Sequence, residues 1–306
     1  AVSEFAKKCM TSAACLSIHL IAPHAIVAHG TEEQKQKYLP MLTKGGVLGA
    51  FALTEPNAGS DAAGVKTTAV YDEATDEYVL NGTKCFITGG SRAGVLVIFA
   101  LTEPEKGTKG MTAFIVESSY PGFSVGKIEN KMGLCGSETA ELVFEDCRVP
   151  AKNILGKPGK GFKIAMMALD GARIGVGAQG IGCAEGALHL AVKYAHEREQ
   201  FGKPIANLQG IQWYLADMAT KTEAAKTLVY YAAYLADNKQ PFTKEAAMCK
   251  LNAAENARFV TNLALQIHGG YGYMKDYPLE RMYRDAKITE IYEGTSEIHK
   301  VVISRA

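Results

Sequence analysis

The sequence predicts an α+β chain in three consecutive parts: helices over residues 1–46, a β domain over 47–155 built as an antiparallel sheet or barrel, and a four-helix bundle over 156–306. Three observations carry this. Apolar residues recur at helical spacing near the start, switch to short period-two segments after residue 48, and return to long helical runs from about residue 160.

In the first part Val2, Phe5, Ala6 and Cys9 fall on one helical face. Thr31-Glu32-Glu33-Gln34 has the form of a capping box, opening a helix that carries Tyr38 and Leu39. Periodicity begins at residue 2 without a cap, so the chain reads as starting inside an element, with sequence upstream absent. In the second part Leu48–Thr54, Val65–Tyr71 and Tyr78–Leu80 read as strands. An Asn81-Gly82 turn and Lys84–Thr88 follow, which together make a hairpin signature. Val95–Leu101, Met111–Val116 and Glu141–Phe144 continue the strands with no helix-length connections, hence the antiparallel expectation. In the third part Leu215, Met218, Thr222, Ala225 and Val229 share one face of a long helix. Segments 208–238 and 244–268 have the length of bundle helices.

Composition narrows the function. With 47% hydrophobic and 21% charged residues the chain reads as a soluble globular protein, and a net charge of +1 provides no field for nucleic acid. No apolar run is read as a membrane span. Cys9, Cys15, Cys85, Cys135, Cys147, Cys183 and Cys249 form no Cys-x-x-Cys pair and have no histidine at zinc spacing. They read as reduced thiols, no metal is expected, and the compartment is cytoplasmic in a bacterium or the mitochondrial matrix in a eukaryote.

Three segments resemble phosphate sites. Gly175-Val176-Gly177-Ala178-Gln179-Gly180 matches Gly-x-Gly-x-x-Gly, but helical periodicity runs through it where a dinucleotide turn needs a preceding strand; small residues for close helix packing explain it better. Gly156–Gly161 has P-loop glycine spacing, yet Phe162 stands where the lysine must be. The third is Thr54-Glu55-Pro56-Asn57-Ala58-Gly59-Ser60-Asp61, directly after a strand. It is either an ordinary turn or an anion-accepting nest made by Thr54, the N–H groups near Gly59 and the Ser60 hydroxyl.

Six segments now fall into one pattern: Leu53–Asp61 (LTEPNAGSD), Lys84–Gly89 (KCFITG), Arg198–Gly202 (REQFG), Gln266–Gly270 (QIHGG), Arg284–Ala286 (RDA) and Ile291–Thr295 (IYEGT). Their order and spacing resemble the acyl-CoA dehydrogenases, closest to the short-chain (butyryl-CoA) branch. The resemblance implies an α–β–α subunit with FAD between the β domain and the bundle, in a homotetramer built as a dimer of dimers. It also implies that about 75 N-terminal residues of a full-length member are absent, by domain-size expectation.

The same resemblance assigns residues. Oxidising an acyl thioester between Cα and Cβ needs a base, a stabiliser for the thioester oxygen and a hydride acceptor, and the last must be a cofactor. Glu293 matches the family's base, which burial beside flavin and acyl chain raises to about 6–7. Gly294 lets the backbone approach the ligand, with Tyr292 beside it. Some relatives carry the base near Asp170–Arg173, but Ala172 stands at that position here. The backbone N–H of the base, with a flavin ribityl hydroxyl, stabilises the oxygen. For FAD the match points to Phe51, Leu53, Thr54, Gly59, Ser60, Phe86 (Trp in many relatives), Thr88, Thr295 and Glu297. Arg198, Phe201, Gln209, Gln266 and Gly270 match residues reaching the ADP half from the neighbouring subunit. Asp170, Arg173, Ser60 and Ser137 match positions near CoA. The expected reaction is α-proton abstraction and β-hydride transfer to flavin, with electrons passed to an electron-transferring flavoprotein. Competing readings are an acyl-CoA oxidase or enoyl-CoA reductase on the same fold, and a non-catalytic FAD-binding or assembly chain.

Overall fold

The computed structural model describes all residues 1–306. By its internal contacts the chain folds as two units. A helical unit comprises Ala1–Ala14, Lys131–Gly136 and Asp170–Ala306; a sheet unit comprises Cys15–Asn130 and Ser137–Leu169.

Nine helices form: α1 (Val2–Ala6), α2 (Met10–His19), α3 (Ile21–His29), α4 (Glu32–Thr43), α5 (Gly161–Glu197), α6 (Gln209–Asp237), α7 (Thr243–His268), α8 (Leu279–Lys287) and α9 (Ser296–Ser304). The capping box is present in full: the Thr31 hydroxyl accepts from the Gln34 N–H, and the Gln34 side chain accepts from the Thr31 N–H. Met10–His29 is long and apolar enough to cross a membrane by length and composition alone. The folded chain divides it into α2 and α3 at Leu20 and buries much of it, including Ala13, Ala14, Ala22 and Ile26.

The sheet unit holds β1 (Leu48–Ala52), β2 (Thr68–Asp72), β3 (Glu77–Thr88), β4 (Ala93–Leu101), β5 (Met111–Glu117), β6 (Phe123–Ile128), β7 (Thr139–Pro150) and β8 (Ile154–Leu155) in one sheet ordered β6-β7-β3-β2-β4-β5-β8. Most pairs are antiparallel, but β1 lies parallel to β4, and β2 meets β4 in parallel at Thr68–Leu101, so the sheet is mixed. β4 is buried on both faces. Val95, Val97 and Phe99 face the core shared with α3 and α4, and Leu96, Ile98 and Ala100 face a second core with β3 and β7.

One expectation is corrected by the sheet, that of a turn at Asn81-Gly82. These residues are no turn: β3 runs straight through them, and the hairpin from β2 closes instead at 73–76. Gly82 (φ +149°) sits at a register shift against β7, where a Cβ would come within 2.5 Å of the Thr67 hydroxyl. The glycine serves close approach at a bulge.

In the helical unit, the glycines of the false dinucleotide signal lie inside α5. A Cβ at Gly180 would sit 2.8 Å from the Ala253 carbonyl of α7, and one at Gly177 2.9 Å from Val229 of α6. At Gly182 it would meet the Ser3 carbonyl at 2.2 Å. Gly182→Val is therefore expected to destabilise the fold by about 1–3 kcal/mol, read as a lower urea midpoint. An unchanged midpoint would mean that α1 does not rest on α5 this closely.

Candidate active site

The turn at 291–295 lies between α8 and α9, against α5 and α7. Glu293 (φ +55°) and Gly294 (φ +101°) are consecutive left-handed residues. Glu293 is one of only seven non-glycine residues with positive φ, and Phe86 and Phe201 are two of the others. Such strain concentrates where a site must present a side chain in a fixed direction. At Gly294 the φ favours glycine, and a Cβ there would press on the His299 ring at 3.0 Å. Thr295 ends the turn by capping α9, its hydroxyl accepting from the Ile298 N–H at 3.3 Å.

Glu293 as a residue is part-exposed, yet both carboxyl oxygens are buried and accept no hydrogen bond. Burial raises its proton affinity to about 7, against the opposing pull of the Lys250 and Arg173 cations. Its N–H, like that of Gly294, donates to no backbone carbonyl. Lys250 of α7 is fully buried and its ammonium donates to the Gly294 carbonyl at 2.6 Å. Burial, with help from Arg173, lowers this lysine to about 8 although Glu293 pulls it upward. Burial and the same two cations depress His299 to about 3, leaving its imidazole neutral at physiological pH. The Tyr292 hydroxyl donates to Gln179 Oε1 of α5, and Gln179 Nε2 is buried with no partner. Arg173 is buried and ion-paired to Asp170 at 2.6 Å, and Asp170 also accepts from the Thr243 hydroxyl at 2.6 Å. Arg173 Nε remains unpartnered.

The sequence-derived residues thus fall into three groups. Tyr292, Glu293, Gly294 and Arg173 lie close enough to interact in the helical unit, followed by Thr295 and an exposed Glu297. Arg198, Phe201 and Gly270 line a cavity of about 600 Å³ in the same unit, with Tyr271 and His268. Gln209 and Gln266 are exposed next to the lining residues Leu208 and Ile267. In the sheet unit the Thr54 carbonyl accepts from the Cys85 N–H at 3.0 Å, which holds the 54–61 turn beside the bulged end of β3 carrying Phe86 and Thr88. Phe86 has 65% of its surface exposed. Gly59 and Ser60 are exposed, whereas Ser137 is buried. Leu53 is buried with its carbonyl bound by Lys84, and the Phe51 ring packs on Phe99 at 5.0 Å, so that side chain belongs to the core. Lys250, Gln179 and His299 were not singled out from the sequence. Lys250 could have been: Ala246, Ala247, Ala253 and Ala254 surround it at i±3 and i±4 on the apolar face of α7.

Family models for the acyl-CoA dehydrogenase N-terminal domain, middle domain and C-terminal domain match residues 1–46, 50–147 and 159–306. The chain belongs to the acyl-CoA dehydrogenase family. It is an FAD-dependent oxidoreductase acting on the CH–CH bond of acyl-CoA thioesters. It is 81% identical to an acryloyl-CoA reductase (NADH) of Anaerotignum propionicum over the whole chain and 77% of that protein. The fold superposes on butyryl-CoA dehydrogenase of Megasphaera elsdenii with a TM-score of 0.98 and 51% identity, covering 99% of this chain and 79% of that one. A chain from a structural study of the electron-transferring flavoprotein of Acidaminococcus fermentans and flavin-based electron bifurcation also gives 0.98, at 53% identity, covering 99% and 80%.

The residues fit the cofactor. Phe86, held out at φ +57°, offers a bare aromatic face beside a turn with exposed backbone, and the cavity with Arg198 combines a cation with aromatic walls. Both oxygens of the Glu293 carboxyl are buried and have no hydrogen-bond partner within the chain.

Proposed function

We propose that this enzyme interconverts three- and four-carbon acyl-CoA thioesters with their 2-enoyl-CoA partners, with Glu293 carrying the α-proton. The observation that carries the reading is the Glu293 carboxyl: dry, unpartnered and raised to about 7. A group at that value is half-protonated near neutrality. It serves as base when an acyl-CoA is oxidised and as acid when an enoyl-CoA is reduced.

In the oxidative direction the Cα–H bond breaks and its proton passes to a Glu293 carboxyl oxygen. Negative charge gathering on the thioester oxygen is received by the Glu293 N–H, which has no backbone partner. Bound FAD supplies the acceptor for the β-hydride. Phe86, Thr54 and Thr88 would hold its ring portion, with Phe51, Leu53, Gly59, Ser60, Thr295 and Glu297 as further candidates to hold it; Arg198, Phe201, Gln209, Gln266 and Gly270 would serve the ADP portion of a neighbouring copy. Arg173, fixed by Asp170, provides a cationic wall, and Ser60 and Ser137 lie toward CoA.

The relative at 81% identity is named a reductase of the three-carbon enoyl thioester, which favours propanoyl/acryloyl-CoA as this chain's pair and reduction as its net direction. An electron-transferring flavoprotein as redox partner is supported by the Acidaminococcus match. A homotetramer is supported by the exposed aromatics of α6, namely Trp213, Tyr230, Tyr231 and Tyr234. The free cysteines suit a reducing compartment such as bacterial cytoplasm.

An acyl-CoA panel from three to eight carbons tests the substrate class. We expect kcat/KM to peak at three or four carbons and to fall at least about tenfold by eight; a maximum at eight would remove the short-chain assignment. Reduced enzyme is expected to react slowly with oxygen and quickly with an electron-transferring flavoprotein, and rapid oxygen turnover would instead mark an oxidase.

A further inference from the structure

The Glu293–Gly294 turn is strained, and its own backbone does little to hold it. Both residues are left-handed, and neither N–H donates to a backbone carbonyl. On its C-terminal side the Lys250 ammonium donates to the Gly294 carbonyl at 2.6 Å, just before Thr295 caps α9. Lys250 reaches that carbonyl from the first third of α7, with 0% of its surface exposed and alanines at neighbouring helical positions. Burying a lysine at such a position is costly, because its ammonium loses its hydration. A structural contact to one carbonyl needs a donor, not a full charge.

We infer that Lys250 is a positioning residue for the proton-transferring step: its ammonium clamps the Gly294 carbonyl, fixing the left-handed turn that presents Glu293, and supplies the counter-charge for the Glu293 carboxylate. The charge inventory around it supports the second role. Arg173, the other buried cation, is already paired to Asp170. Glu290 is paired with Arg258 and Lys287, and Glu297 is exposed. His299 is neutral. Among the acids acting on Lys250 from α9 and the 288–294 segment, Glu293 is therefore the one with a buried carboxyl and no ion-pair partner of its own. When it gives up its proton, Lys250 is the unmatched cation that balances it.

The inference rests on the assignment of Glu293 as the proton carrier. The sign of the effect follows from charge: a nearby cation favours the carboxylate, so without it the carboxyl holds its proton to higher pH.

The test uses the FAD-loaded enzyme in three forms: wild type, Lys250→Met and Lys250→Arg. Flavin bleaching by butyryl-CoA is followed in single turnover from pH 5.5 to 9.5, beside flavin content and thermal midpoint. Amide exchange over 291–296 is measured on both loaded and FAD-free chains. We expect Lys250→Met to bleach about 100-fold more slowly at pH 7, as misplacement of a reacting group does. Its acid limb should move upward by at least one pH unit, so that part of the loss returns at pH 9. Exchange should accelerate at least tenfold at 291–296 and not within α7. Lys250→Arg should restore the position of the acid limb more fully than the rate, because it keeps the charge and changes the reach. A slow variant with an unshifted profile and exchange raised throughout α7 would show a merely structural lysine, and wild-type behaviour in every readout would overturn the inference outright. If Lys250→Met does not fold, the Arg variant alone decides, since unchanged turn exchange together with an unchanged rate contradicts the clamp. Glu293→Gln in the same series keeps the two claims apart: if it bleaches normally, the proton-carrier assignment fails whatever Lys250 does.

Discussion

Glu293→Gln is expected to retain FAD and bind acyl-CoA while flavin bleaching falls by about 10⁴-fold. The amide keeps the shape of the side chain and removes the site that takes the proton, and a positioned general base contributes at the upper end of 10²–10⁴. The same change should stabilise the protein in a pH-dependent way. A carboxyl whose folded value is raised from 4.5 to about 7 favours folding fully below 4.5, and that contribution is lost as pH rises through 7. At pH 8 the wild type thus carries a burden of up to about 3 kcal/mol that glutamine lacks. Thermal melts should show the variant more stable at pH 8 and level with wild type near pH 4.5. Equal melts across that range would mean that the carboxyl is not held dry.

Lys84→Met should be the most destabilising of the single changes considered, at about 3–5 kcal/mol. Lys84 is fully buried, with its ammonium 2.7 Å from Glu55 Oε1 and 3.2 Å from the Leu53 carbonyl. Glu55 also accepts from the Thr67 hydroxyl at 2.6 Å and from the N–H groups of Lys66 and Thr67. Burial works to raise Glu55, but the Lys84 charge and these hydrogen bonds outweigh it and hold the carboxyl below its ordinary value. Without the lysine, burial acts unopposed. The deficit in Lys84→Met should accordingly be largest at neutral pH and shrink as pH falls below about 4.5, where Glu55 is protonated in both states. Urea titrations at pH 4 and pH 7.5 check this, and a pH-independent deficit would mean lost packing alone. Because this pair ties the Thr54 turn to the strand bearing Phe86, weaker FAD retention is expected alongside.

Local rules were legible wherever local physics decides. Thr31 and Gln34 formed their box, and α6 and α7 closed within a residue or two of 208–238 and 244–268. The Gly175–Gly180 match lacks a preceding strand, and Gly177 and Gly180 within it serve helix contacts. Asn81-Gly82 misled because a bulge in a long strand and a two-residue turn call for the same residues; only the pairing of β3 with β2 and β7 separates them. The parallel neighbour of β4 was hidden because β1 is distant in sequence and pairs only once the fold is formed. The 10–29 run is apolar enough for a membrane by composition, and only its division at Leu20 and its burial show another use. At the site, Glu293, Gly294 and Arg173 were reachable through motif likeness. Lys250 was not, since no motif contains it and its meaning rests on a contact 44 residues away.

The most direct test is the pH dependence of flavin bleaching by saturating butyryl-CoA in wild-type enzyme. A carboxyl shut away from water and unaided by hydrogen bonds should give a rate that rises through a single ionisation near 7. A rate already at its plateau above pH 5 would place that carboxyl in an ordinary aqueous setting and contradict the account.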